Sequence, residues 1–369
     1  MIDSHMESKL RELCRLLIDQ EIARIVVEPY DRSRGHWFGG GNLVAGPKGE
    51  LYLVGRYRNQ GDSRTGVARG TRGLELAVFR SDDQGRSFRK VLALSKQDLS
   101  LPAMSVLSIE GTALRWNGDR FQLFVSTEKD GVGYPRPFQS YLKSGTGVWS
   151  IDCLEAESVE SLASATVSPC LASDDPEHIH VKDPFLFESD RGLMLLFCSH
   201  PFNWTCSNTG FAHCGSAGDP GRPTYGFFPR GNVWDVAIAR GTCVVNVPKL
   251  GVFAESDLQL MFYDGGECVR DHEQHAQSVE RPRGHSCEEI GGAAWFADQQ
   301  WDRPHRLSRY EPLFVSPYGT GCSRYVDVLD RPEGMYATWQ QAQQDGSQPL
   351  VMNFVSREAI ESVLAPSLP

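Results

Sequence analysis

Apolar residues in this chain fall in short runs, each closed by a turn bearing Gly, Asp or Asn. The clearest example begins His180-Val181-Lys182-Asp183-Pro184-Phe185-Leu186-Phe187, turns over residues 188–192, and returns through Leu193-Met194-Leu195-Leu196-Phe197-Cys198 to Ser199-His200. Pro184 has no backbone N–H, so it belongs at the start of a strand. A strand out and a strand back share an edge, which puts Asp183 and His200 at one end. The same figure recurs over 41–56, 110–126, 249–264 and 324–340, with turn centres near positions 48, 118, 190, 256 and 332. A period of about 70 residues suits a four-stranded antiparallel unit with one long loop. Five such units use nearly the whole chain, so the pattern predicts an all-β fold, a five-bladed β-propeller.

The ends of the chain read differently. Leu10, Leu13, Leu16 and Leu17 have helical spacing over residues 6–20, which predicts a short N-terminal helix against the propeller's side. Residues 22–27 read as a strand. The last unit shows only three clear strands of its own, so this N-terminal strand is expected to supply its fourth and close the ring, removing two exposed edges. Residues 1–21 are thus expected to be a tag remnant and helix, and residues 22–369 one propeller domain.

One turn resembles the Asp box of sialidases and other propellers: Ser81-Asp82-Asp83-Gln84-Gly85-Arg86-Ser87-Phe88. Asp83 can accept backbone N–H bonds and Gly85 permits positive φ. In those families the box is structural, and here it marks the fold.

Composition narrows the partners. A net charge of -10 over 369 residues argues against nonspecific binding to nucleic acid or an anionic membrane. No apolar run approaches the roughly 20 residues of a membrane span. No secretory signal precedes the first hairpin, and the ten cysteines are scattered, with Cys153, Cys198 and Cys243 in strand-like runs. Free thiols in the cytoplasm are the expectation, with Cys206–Cys214 and Cys268–Cys287 as the pairs available to an exported protein. Asp271, His272, Glu273, His275, His285 and Cys287 are ligand-type residues, but a His-x-x-His spacing outside a helix is weak evidence for zinc. No metal or cofactor is expected.

Long charged and aromatic loops all fall at one end of the expected blades, where innermost strands begin, second strands end and third strands begin. Loops on a rigid scaffold carry sites. Innermost strands are expected to begin near Asn42, Glu110, Asp183, Lys249 and Arg324. Second strands end at Arg56 and Arg58, Glu128, His200, Asp264 with Glu267, and Gln340. Third strands begin at Glu75, at Trp234 with Asp235, and at Glu288. Paired carboxyls around one axial pocket suit glycoside hydrolysis, in which one donates a proton and the other acts as base or nucleophile. The catalytic candidates are Asp183, Glu110, Asp264, Glu267, Glu75 and Asp235, with Glu288 a further possible donor. The substrate-binding candidates are Asn42, Arg56, Arg58, His200, Trp204, Trp234, Lys249, Arg324 and Gln340, with Tyr225 as another stacking ring. Arg64, Arg69 and Arg72 crowd the same loop as Arg56 and Arg58. Guanidinium forks bind carboxylates, as sialidases do with three arginines, so an acidic sugar is an alternative substrate, with His200 or Tyr57 as base.

Lys182-Asp183-Pro184 together with the fivefold repeat resembles the five-bladed propeller glycoside hydrolases: invertases, arabinanases, β-xylosidases and neoagarobiose hydrolases. The resemblance covers the fold over most of the chain; its motif is essentially Asp-Pro in an apolar strand. It implies that Asp183 stabilises the transition state, as in the invertase type, or tunes the acid and orients substrate, as in the arabinanase type. The first-blade catalytic Asp of those families falls at Gly41-Asn42, where this chain has no acid, and Glu110 or Glu75 could replace it. The expectation is a glycoside hydrolase, exo-acting on a small oligosaccharide. A non-catalytic carbohydrate- or protein-binding propeller is the alternative from another class.

Overall fold

A computed structural model describes residues 2–59, 73–141, 146–189, 192–201, 206–215, 220–267, 289–297 and 304–366. The strands form five antiparallel sheets around one axis, a five-bladed β-propeller. Blade one holds β2 (Trp37–Gly39), β3 (Leu43–Ala45), β4 (Leu51–Arg58), β5 (Glu75–Ser81) and β6 (Arg89–Ser95). Its innermost strand is split: β2 and β3 both pair with β4 on either side of Gly40-Gly41. Blade two is β7 (Val106–Trp116), β8 (Phe121–Lys129), β9 (Val148–Ala156) and β10 (Ser168–Leu171); blade three is β11 (His178–Ser189), β12 (Gly192–Pro201), β13 (Asn208–His213) and β14 (Thr224–Phe228). Blade four is β15 (Ile238–Asn246), β16 (Leu258–Gly266), β17 (Ile290–Ala297) and β18 (His305–Arg306). Blade five takes β19 (Ser323–Arg331), β20 (Gly334–Gln341) and β21 (Leu350–Ser356), and β1 (Arg24–Val27) pairs with β21 as its outermost strand. The ring therefore closes by joining the two ends of the polypeptide.

The hairpins expected in blades one, two, three and five are present. Blade four differs: its inner strand is β15, and Gly251–Phe253 is a single 3-10 turn. The connection to β16 is long, so counting back from the Glu255-Ser256-Asp257 turn misplaces the strand. Lys249, expected beside the axis, instead lies exposed at the far end, paired with Asp257 at 2.5 Å. Trp234 and Asp235 likewise do not open a third strand; they lie in the connection from blade three to blade four.

Helix α1 (Ser4–Leu17) buries Leu10, Leu13, Cys14 and Leu17, and α2 (Arg357–Leu364) buries Ile360 and Leu364. Both pack into one cluster with Trp295, Phe314, Val326, Trp339 and Val351 of blades four and five. The Asp3 carboxylate caps α1 by accepting from Met6 N–H at 2.8 Å. A further hydrogen bond ties this end down, with Trp339 Nε1 donating to Gln20 Oε1 at 3.1 Å. At the turn 81–88, Asp83 Oδ1 accepts from Ser81 Oγ at 2.7 Å and from Ser87 N–H at 2.9 Å. Gly85 there has φ 77°. The free cysteines include Cys206 and Cys214, and no helix among the described residues is long and apolar enough to cross a membrane.

Candidate active site

The inner strands share one irregularity. Register shifts lie between Ile109 and Thr112, Lys182 and Phe185, Gly241 and Cys243, and Arg324 and Asp327, and blade one breaks its inner strand at the same level. A bulge bends a strand and re-aims a side chain. Here it turns Glu110, Asp183, Arg240 and Arg324 toward the axis, at the end where the second strands finish. Below them the five strands leave a cavity of about 20 Å³, lined by Gly41, Gly111, Asp183, Gly241 and Tyr325 among others, room for about one water molecule.

Asp183 sits at φ 50°, a left-handed conformation that Asp tolerates better than most residues; the following Pro184 disfavours the ordinary helical region there. Its N–H donates to Ser126 Oγ at 3.1 Å, and its Oδ1 accepts from Gly111 N–H at 2.9 Å. Position 111 must be glycine for this approach, because a Cβ there would lie 2.5 Å from Asp183 Oδ1. Asp183 Oδ2 lies 3.3 Å from Arg240 Nη1 and 3.6 Å from Lys182 Nζ. Burial pushes this carboxyl up, but Lys182, Arg240, Arg56 and the Gly111 N–H outweigh it and hold it well below the usual carboxylate range.

Arg240 is the hub. Its Nη2 lies 2.7 Å from Asp264 Oδ2 and 2.8 Å from Glu289 Oε2, so one guanidinium holds three acids from two blades. Asp264 is fully buried and accepts from Tyr325 N–H at 2.9 Å. Burial pushes its carboxyl up to about 6; Arg240 opposes this and the neighbouring Glu289 charge adds to it. Glu289, whose side chain is 17% exposed, is the most accessible of the three. Burial raises it too, but Arg240 and Arg324 win and hold it low. Two acids on one nitrogen are thus pushed apart in acidity, the arrangement that separates a proton donor from an ionised partner.

A second cluster faces the first across Tyr325. Glu110 accepts from Arg56 Nε at 3.1 Å and Arg56 Nη2 on one oxygen, and from Arg58 Nη2 on the other. Arg56 Nη2 also donates to Tyr325 Oη at 3.1 Å. The Arg56 and Arg324 guanidiniums lie 4.5 and 4.6 Å from the Trp37 ring centre.

Several sequence candidates occupy other places. Glu75 pairs with Lys90 at 2.7 Å on the outer strands of blade one. Asp235 is buried against Arg306 at 2.7 Å, and Trp234 is a core residue stacked on Tyr263 at 5.5 Å. Tyr225 stacks on His178 at 4.2 Å, toward the outside of blade three. Asn42 spends its amide on the Leu114 backbone, donating at 2.9 Å and accepting at 2.8 Å. His200 is buried beside Cys198, 3.8 Å from its sulfur, and burial pushes its imidazole down to about 3. Gln340 is buried against Gln348, and Glu267 is half-buried just past β16. Trp204, Arg64, Arg69, Arg72, Cys268, Asp271, His272, Glu273, His275, His285, Cys287 and Glu288 lie outside the described residues. No group of three or more metal-ligating side chains occurs among the described residues.

Sequence reasoning missed Arg240, Glu289, Trp37 and Tyr325. A signal for Arg240 existed: Arg240-Gly241 in an otherwise apolar run matches Glu110-Gly111, a polar residue followed by glycine where the inner strand bulges.

No family model matches the chain, and no curated protein matches it. Among solved structures, it is similar to one described as a glycoside hydrolase, with 11% identity, 96% of each chain covered and a TM-score of 0.64. It is similar to one described as an RGII complex, with 10% identity, 100% of this protein and 98% of that one covered and a TM-score of 0.66. An α-L-arabinofuranosidase from Lactobacillus brevis matches with 9% identity over 89% of this protein and 91% of that one, at a TM-score of 0.53. The likeness is one of fold.

Proposed function

We propose that the protein is a glycoside hydrolase, exo-acting on a small oligosaccharide whose terminal sugar enters the axial pocket. The observation that carries this reading is the single guanidinium of Arg240 holding Asp183, Asp264 and Glu289 at the end of the axis. Cleaving a glycosidic bond needs a proton for the departing oxygen and a negative charge near the oxocarbenium-like centre. Asp264, raised by burial and by the neighbouring Glu289 charge, holds the proton for the departing oxygen, since two acids on one nitrogen resist ionising together. Glu289, the accessible member, is held ionised by Arg240 and Arg324 and acts as the base. Asp183, held ionised by Lys182 and Arg240, faces the developing positive charge. Glu110 has both oxygens engaged by Arg56 and Arg58, so it acts by holding those two cations in place. Exo action is supported by the narrowness of the cavity below, which is too small for a sugar chain to pass.

A second reading, hydrolysis of an acidic sugar, is favoured by charge. Among the described residues at the pocket, Lys182, Arg56, Arg58, Arg240 and Arg324 outnumber Glu110, Asp183, Asp264 and Glu289 by one, and pairing with a carboxylate is what guanidinium forks do best. The test is a panel of aryl glycosides, neutral and uronide, with wild type, Asp183→Asn and Glu289→Gln. Each change should lower kcat by about 10²–10⁴-fold. Turnover that survives both would remove this site. Absence of turnover on every sugar would favour a non-catalytic carbohydrate-binding propeller.

A further inference from the structure

On its inner strand, blade one brings no acid to the axis. What it brings is a ring. Successive side chains of a strand point to opposite faces. Phe38 turns into the blade, 4.7 Å from the Tyr57 ring and 5.5 Å from the Phe79 ring, so Trp37 faces the other way. There the guanidiniums of Arg56, Arg324 and Arg58 lie 4.5, 4.6 and 5.7 Å from its centre. Arg56 and Arg58 come from β4 beside it, and Arg324 from β19 of blade five. Trp37 is only 7% exposed, and a cation is drawn most strongly to a ring face where water is excluded.

The ring is fixed in place. Gln348 N–H donates to His36 C=O at 3.0 Å and Phe38 N–H donates to Gln348 C=O at 3.1 Å, which pins the backbone on both sides of Trp37 to blade five. Arg56 Nη1 donates to Gly39 C=O at 3.2 Å. Position 40 has φ 73°, and a Cβ there would lie 2.4 Å from Arg56 Nη1, so only glycine lets the guanidinium reach this place. Two of the cations on the ring each hold an acid: Arg56 donates to Glu110 and Arg324 to Glu289. Like charges so close repel one another. A shared ring face offsets that repulsion, and a stacked guanidinium has one plane.

We infer that Trp37 is a positioning residue whose ring holds Arg324 and Arg56 in the planes from which they orient Glu289 and Glu110. Its consequence for rate rests on the glycosidase reading, in which Glu289 is the base. Glu289 is faced by Arg240, Arg324, Lys182 and Asp264. A loosened Arg324 leaves it less compensated, so its carboxyl moves up.

The test places tryptophans of increasing fluorination at position 37, alongside Trp37→Phe and Trp37→Leu, in the full-length protein. Fluorine draws charge from the ring face and nearly preserves the shape, so a role in packing alone is left untouched. The first readout is the titration of the Glu289 carboxyl by carbon-13 NMR, assigned by its loss in Glu289→Gln. Its midpoint should climb with each added fluorine and by about one pH unit in Trp37→Leu, with Trp37→Phe closer to wild type. The second readout is turnover of an aryl glycoside, where Trp37→Leu should lower kcat about tenfold and move the acid limb of the pH profile upward. If no sugar is turned over, the glycosidase reading fails and the carboxyl titration still decides the role of Trp37. If Trp37→Leu melts early, the fluorinated series decides. A Glu289 midpoint indifferent to fluorination would overturn the inference, whatever the rate does.

Discussion

Arg240 lies 4.3 Å from the centre of the Tyr325 ring, while the Tyr325 backbone N–H donates to Asp264, a carboxylate that Arg240 also holds. Blade five thereby fixes the acid of blade four, and the cation between them rests on the ring that completes the contact. Tyr325 reaches this position at φ 53°, on the bulge of its strand. A guanidinium that is both stacked and bidentate has one orientation, so the three acids around it are set by packing.

Replacing that cation should therefore be costly. Arg240→Leu leaves Asp183, Asp264 and Glu289 buried with a large part of their compensation gone. Breaking a buried ion pair from one side typically costs about 3–5 kcal/mol. The acids would then have folded-state pKa values raised above their unfolded ones, so the variant should be more stable at pH 5 than at pH 8. Urea unfolding at the two pH values measures both effects, and a variant as stable as wild type at pH 8 would contradict this account.

A buried acid on the opposite side of the inner ring predicts a different pH dependence. Asp327 Oδ2 accepts from Leu43 N–H at 2.8 Å, joining blade five to blade one. Burial pushes its carboxyl up to about 6, against the Leu43 hydrogen bond. A raised folded value means that its contribution is full below the unfolded value and is lost as pH rises through about 6. Asp327→Asn keeps an acceptor for Leu43 and removes the charge. The variant should gain on wild type as pH rises from 4 to 8, by of order 3 kcal/mol at most. Matched thermal melts across that range read the difference, and parallel curves would count against it.

Glu110 offers the reverse experiment. Glu110→Gln leaves Arg56 and Arg58, both 1% exposed, without their common carboxylate. The expected loss is about 3–5 kcal/mol in chemical unfolding. A loss under about 1 kcal/mol would mean that the two arginines find other partners at little cost.

Asn42 tests how blades are joined. Its amide satisfies both the N–H and the C=O of Leu114 across the boundary between blades one and two. Asn42→Ala orphans both groups, at about 1–3 kcal/mol each. Asn42→Asp keeps the acceptor and should cost about half as much. Amide hydrogen exchange at Leu114 should rise in the alanine variant; protection equal to wild type would show that the clamp carries no strain.

Much of the architecture was legible because it depends on local alternation and turn chemistry. The hairpin at Asp183, the helix at Leu10, Leu13 and Leu17, and the return of the N-terminal strand to blade five follow from apolar spacing and from the three-strand count at the C-terminus. Blade four escaped because its inner strand carries Arg240 and Gly241 in mid-run and is followed by a long connection, so neither alternation nor a tight turn marks it.

For the candidate site, the order of residues announced which of them stand at the end of the axis where the second strands finish: Asp183, Asp264, Arg56, Arg58, Glu110 and Arg324 are all there. It could not announce who pairs with whom. Glu75, Trp234, Asp235 and Lys249 also border apolar residues in the sequence, yet each is turned into an outer strand, a core, a side pair or the far rim. The sequence by itself determined a ring of five sheets, since periodicity is a property of each segment alone. Only the tertiary structure decided that Arg240 would gather three acids, because that depends on inner-strand bulges from separate blades meeting on one axis, a distance that no segment encodes.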